Sequence, residues 1–201
     1  MNVFRMRRLV LGAVVCALST AAFADDPDPS GWQARLRFHA ESAYGPWALA
    51  GSAAWAGLLQ GADFPREWGE GAAGYGTRLG STLAYSGLRN AIGFGLDSAL
   101  HEDPRYARAV DKRFWRRMEH AVRGTIFTRT DSGKETFSMW RVGSAYGATF
   151  LSNEWYPERL NTFRLGLTQG STQLGFDLLG NLGNEFWPDV KKALRHNLFR
   201  R

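Results

Sequence analysis

Small residues recur at intervals of four in three separate stretches of this chain: Gly76, Gly80 and Ala84; Gly143 and Gly147; Gly166 and Gly170. That spacing lines one face of an α-helix. With glycine there, a second backbone can approach closely along the face. Glycine costs a helix about 1 kcal/mol per position relative to alanine, so its repeated use implies packing in return. Residues 70–100 contain no proline. The pattern predicts long helices joined through small-residue faces, within one chain or between copies in a homo-oligomer. Arg78, Arg89 and Asp97 interrupt the longest stretch, which favours tight packing in a soluble bundle over a membrane-embedded glycine zipper.

A second periodicity competes in the C-terminal third. Phe163, Leu165 and Leu167 alternate with Arg164, Gly166 and Thr168, and Leu174, Phe176 and Leu178 with Gly175 and Asp177, around Gly170-Ser171. An outer-membrane β-barrel reads this way. Phe163, Leu167, Leu174, Leu178 and Leu182 also form a helical stripe. The chain does not end in an aromatic residue, and Gln, Leu, Ala and Glu fill the proline-free stretches without Thr/Val enrichment. The expected fold is therefore all-α, a compact bundle of about five or six helices, with the outer-membrane β-barrel as the alternative.

Arg5, Arg7 and Arg8, an apolar run over residues 9–18 and Ala22-Phe23-Ala24 compose a secretory signal peptide, residues 1–24, cleaved after Ala24. The sole cysteine, Cys16, leaves with it, so no disulfide or thiolate site is expected. Residues 25–31, with two prolines and three carboxylates, read as a flexible linker, and 32–201 as a single helical domain. Of 25 Lys+Arg, the signal removes three, leaving 22 against 19 Asp+Glu, a net charge of +3. An exported protein of this kind belongs in the periplasm or at the outer membrane, and export argues against a nucleic-acid partner. Residues 42–62 carry no charge and are long enough to cross a membrane, but their Ala and Gly supply little transfer energy. The segment 63–67 has the form of a helix start, Asp63 as N-cap and Pro65 in the first turn.

Basic residues concentrate between positions 104 and 129, with eight Lys/Arg against Asp111 and Glu119. There Phe114, Trp115, Met118 and Val122 recur at spacings of three and four, with Arg113, Arg116, Arg117 and His120 between them. This is an amphipathic helix with a basic, Trp-bearing surface. Packed on its own domain it presents a solvated basic face. At a membrane, Arg105, Arg108, Arg113, Arg116 and Arg117 would engage anionic lipid or lipopolysaccharide phosphates while Phe114 and Trp115 insert at the interface. The membrane role is the expected function, structural or binding rather than enzymatic, with no cofactor implied. A polar connection follows at 128–134, with a turn at Asp131-Ser132-Gly133.

One polar cluster has catalytic potential. If a helix runs through residue 101, Asp97 and His101 lie one turn apart, beside Glu102 and Asp103, close enough to share a metal or orient an imidazole for hydrolase or metalloenzyme chemistry. The sequence has no second histidine at ligand spacing, so no metal site is assigned. Otherwise His101 is a helix C-terminal residue and Asp103 pairs with Arg105 in the turn. Ser144 stands in Val-Gly-Ser-Ala-Tyr-Gly, where the first glycine is too near for a nucleophile elbow. Asp177, Asn181, Asn184 and Glu185 are spaced to make interhelical hydrogen bonds.

Leu100-His101-Glu102-Asp103-Pro104-Arg105-Tyr106, Thr128-Arg129-Thr130-Asp131-Ser132-Gly133 and Glu185-Phe186-Trp187-Pro188-Asp189, preceded by Glu67-Trp68-Gly69 and Gly74-Tyr75-Gly76, resemble the ordered landmarks of an uncharacterised family of exported bacterial envelope proteins. The likeness spans roughly residues 62–192. It implies a mostly helical envelope protein and brings no activity, substrate or catalytic residue with it.

Overall fold

The computed structural model describes residues 31–198, with side chains through residue 192. The signal segment and all of the linker except Gly31 lie outside them. The described chain is helical: α1 Trp32–Tyr44, α2 Pro46–Gly61, α3 Gly71–Leu100, α4 Phe114–Ile126, α5 Met139–Ser152 and α6 Phe163–Leu198. Its strands are β1 Phe127–Arg129 and β2 Glu135–Phe137, an antiparallel hairpin with Phe127 opposite Phe137. The all-α expectation holds, and the fold is not a barrel.

Local chemistry explains most boundaries. Pro46 occupies the first turn of α2, and the Gly45 N–H closes α1 on the Glu41 carbonyl. Gly133, at φ 81°, makes the hairpin turn that Asp-Ser-Gly predicts. Residues 163–182 are helical because Gly166 and Gly170 form one face, closed by the rings of Phe150 and Tyr146 from α5. One boundary differs from expectation. The segment after Asp63 makes only a 3-10 turn, Arg66–Trp68, and α3 begins at Gly71. The C-terminal helix continues through Pro188, which lacks the N–H for the Asn184 carbonyl.

The central helix is α3, with α1, α2 and α5 packed around it; α6 lies on α5, and α4 on α6. Small-residue packing works at Gly143, where an added Cβ would meet Leu96 at 2.8 Å, and at Gly147, facing Ile92 at 3.6 Å. Gly76 and Gly80 do not pack in this way: both face open space, so among the described residues no helix is received by the α3 stripe they begin.

The interior is small and polar. Its apolar members are largely alanines, Ala43, Ala56, Ala121, Ala145 and Ala148, with Trp140 and Leu160. The largest fully buried side chains are Arg78, Glu102 and Glu185. Large apolar residues lie outside instead, Trp47 being 90% exposed and Trp115 77%.

Candidate functional site

Burying a charge is costly unless it is paired and hydrogen-bonded, and several inward charges here have such partners. Arg78, 0% exposed, donates to the carbonyls of Phe64, Pro65 and Gly69 and to Gln60 Oε1, fastening the loop after α2 onto α3. Arg89 of α3 pairs with Asp177 of α6 at 2.6 Å. His39 of α1 is 2.7 Å from Asp97 through Nε2 and 3.0 Å from Asn90 Oδ1 through Nδ1. The Asn90 amide nitrogen donates to the Ser86 carbonyl, so Oδ1 is the Asn90 atom that faces the imidazole.

Turning these charges inward empties the opposite surface. The charged residues of α2, α3, α5 and positions 165–184 of α6 are Arg78, Arg89, Asp97, Arg141 and Asp177, and none is exposed. Trp47, Trp55 and Leu58 of α2, Leu151 of α5 and Phe176 and Leu179 of α6 face outward, with Trp55 against Phe176 at 5.5 Å. Charge returns at both ends of the bundle. Glu67 pairs with Arg159 beside the start of α3, and Arg35 pairs with Asp131 beside its end. The run 165–184 in α6, whose one charged residue is the inward-facing Asp177, spans about 30 Å at 1.5 Å per residue, the thickness of a bilayer's hydrocarbon layer. On α1, the exposed pair Arg37–Glu41 interrupts this surface. Among the described residues, no helix is long and apolar enough to cross a membrane.

The Asp97/His101/Glu102/Asp103 cluster does not assemble. The α3 helix ends at Leu100, and His101 adopts the left-handed conformation, φ 54°, that closes it. Its side chain is 75% exposed and lies 3.4 Å from Asp131, while Asp97 points the other way to His39. Glu102 accepts from the backbone N–H groups of Met139 and Trp140, capping α5 in place of Ser138. Burial pushes the Glu102 carboxyl up, and these two bonds only partly oppose it. Asp103 pairs with Arg105. Among the described residues, no three His, Cys, Asp or Glu side chains are grouped to hold a metal ion. Ser144 is buried inside α5, bonded to the Arg141 carbonyl.

The basic segment forms no field of free cations. Arg113 is tied to Asp111, whose carboxyl it holds down to about 2; Arg116 pairs with Glu119. Arg117 turns inward to Glu185, Asp189 and the face of Phe186, and Arg108 reaches the Glu185 carbonyl. Phe114 and Trp115 do face outward, with Val122 and Ile126, while Ala121 and Thr125 are the buried residues of α4.

At this end a cleft of about 210 Å³ opens between α4, the hairpin, the loop after α3 and Arg141. Behind it, Glu185 accepts from Tyr106 Oη at 2.8 Å and from the Ala109 N–H at 2.7 Å. Because Tyr106 spends its one proton on Glu185, its oxygen accepts from His120 Nδ1 at 2.9 Å. Burial raises the Glu185 pKa, but the bonds from Ala109, Tyr106 and Arg117 outweigh it and hold the carboxyl below its usual range. Burial and the adjacent carboxylate push the Tyr106 hydroxyl up. Asp177, Asn181 and Glu185 make the interhelical bonds their spacing predicts, and Asn184 is exposed. His39, Arg78 and Arg141 escaped sequence reasoning. Their partners lie in other elements, and the only sequence signal was charge inside an otherwise uncharged stretch. Comparison of the chain with family models, curated proteins and solved structures finds no match.

Proposed function

We propose that this is a membrane-associated protein of the cell envelope, held by the outward sides of α2, α3, α5 and α6 rather than by free arginines of α4. One observation carries the reading: the charges of α2, α3, α5 and positions 165–184 of α6 face inward, and the exposed sides of these stretches carry none. Large apolar exposures such as Leu58 and Leu179 suit an acyl environment, and helices satisfy their own backbone groups within it. The helices fail as single apolar spans because their inward faces hold Arg, Asp, Ser and Thr. The apolar character belongs to the assembled surface. On α4, Phe114 and Trp115 supply an interfacial aromatic edge next to Arg113 and Arg116.

The test is fractionation of cells expressing the chain, washed with high salt and then alkaline carbonate. Wild type is expected to stay with membranes through both washes. The pair Leu58→Lys and Leu179→Lys should move it to the soluble fraction without loss of helical circular dichroism, since a lysine at the centre of an apolar layer costs roughly 2.5–3.5 kcal/mol. Release of wild type by salt alone would overturn the assignment of this surface.

A further inference from the structure

Arg105, Arg123, Arg129, Arg141 and His120 line the cleft, against only two carboxylates, Asp103 and Glu135. Both carboxylates are engaged: Asp103 takes two side-chain bonds from Arg105, and Glu135 is 2.9 Å from Arg123. Arg129 makes no ion pair among the described residues, although Glu135, bound to Arg123, stands opposite it in the hairpin. Arg141 is 4% exposed, and its hydrogen-bond acceptor is the neutral Pro104 carbonyl, 3.1 Å from Nη2; Nη1 is buried with no partner. Burial pushes this guanidinium down to about 10. Asp177, Glu102 and Asp103 act on it only from a distance and the Trp140 ring lies 4.6 Å away, so this enclosed cation has a donor unmet and no anion in contact to offset its desolvation.

We propose that the cleft binds a phosphate group, with Arg141 and Arg129 as its principal ligands and His120 beside them. Two guanidiniums with no carboxylate in contact match the negative charge of a phosphate, and polar groups arriving from α5, β1 and α4 suit a tetrahedral oxyanion better than a planar carboxylate. With its Nδ1–H given to Tyr106 behind the cleft, the neutral His120 ring keeps Nε2 as an acceptor, suited to the P–OH of a singly protonated phosphate. Phe127 lines the same cleft, half-exposed, with Phe137 edge-on at 6.4 Å, so an apolar surface adjoins the charged one. The phosphate is either free or the headgroup of a lipid. The site stands on its own residues and does not depend on membrane association.

Titration calorimetry on the purified full chain in non-ionic detergent tests the proposal, with inorganic phosphate and a short-chain phosphatidic acid as probes. Wild type is expected to bind at least one of them. Arg129→Gln should weaken binding about tenfold, as loss of one charge-assisted contact does. Arg141→Gln should weaken it at least as much, and Lys112→Gln, outside the cleft, should leave it unchanged. Should Arg141→Gln fail to fold by circular dichroism, Arg129→Gln and His120→Gln carry the test. Tighter binding of phosphatidic acid identifies a headgroup site; equal affinities identify free phosphate. No binding by wild type, or equal losses in Lys112→Gln and Arg129→Gln, would overturn the proposal.

Discussion

The carboxylate of Glu102 holds the first two N–H groups of α5, a helix that begins 37 residues further along the chain. Its position in Leu-His-Glu-Asp-Pro reads as chemistry, yet its work is a cap that the local residue Ser138 does not supply. Glu102→Ala is expected to destabilise the protein by about 1–2 kcal/mol, through two buried donors left unmet, lowering the melting temperature by roughly 2–8 °C. Glu102→Gln, which keeps one acceptor, should cost less; melting curves of the two variants check the order. Glu185 makes the opposite pH statement. Its folded pKa is depressed, so its contribution is complete above the ordinary carboxylate value of about 4.3 and is lost as pH falls through the lower folded value. Glu185→Gln should melt lower than wild type at neutral pH and show a flatter melting profile on acidification through that window. The cap was not legible in the sequence, because a bond made across the fold leaves no mark at a fixed spacing; for Glu185 the spacing predicted an interhelical bond but not its partners.

Among the elements, equal glycine spacings turn out to have unequal uses. Gly166 and Gly170 receive aromatic rings of α5, and a Cβ on Gly166 would come within 2.5 Å of Phe150. Gly76 and Gly80 meet nothing. Gly170→Ala is therefore expected to cost about 1–3 kcal/mol by forcing α5 and α6 apart. Gly80→Ala should stabilise the isolated chain by up to about 1 kcal/mol through helix propensity. Chemical unfolding of both variants measures the contrast. Period four identified each stripe as a face, but which face has a neighbour depends on where the other helices lie. The basic helix shows the same division. Its range and amphipathicity were legible from Phe114, Met118 and Val122, while its docking through Ala121, Thr125 and Arg117 was set by the partner helix α6.

For the whole molecule, the unusual property is the inversion of polarity. A soluble bundle hides its large apolar side chains; this one hides Arg78, Glu102 and Glu185 and displays Trp47, Leu58 and Leu179. On the proposed membrane-associated reading such a surface meets acyl chains rather than water, which is why the Leu58→Lys and Leu179→Lys pair is a test of the molecule rather than of either residue. Arg78, Arg89 and Asp97 argue in sequence against a membrane setting. Folded, they point into the bundle, Arg89 against Asp177 and Asp97 against His39, and the objection loses its force.

By itself the sequence determined that the described chain is helical, where Pro46 and Gly133 break it, and which turns carry charge, because propensity, capping and periodicity act within a few residues. Only the tertiary structure decided which way each charge points, which glycine faces are filled and which arginine is left without an acceptor. Those outcomes depend on pairs separated by tens of residues, such as Arg35 with Asp131 and Arg89 with Asp177, and no local pattern encodes a partner that distance in the chain conceals.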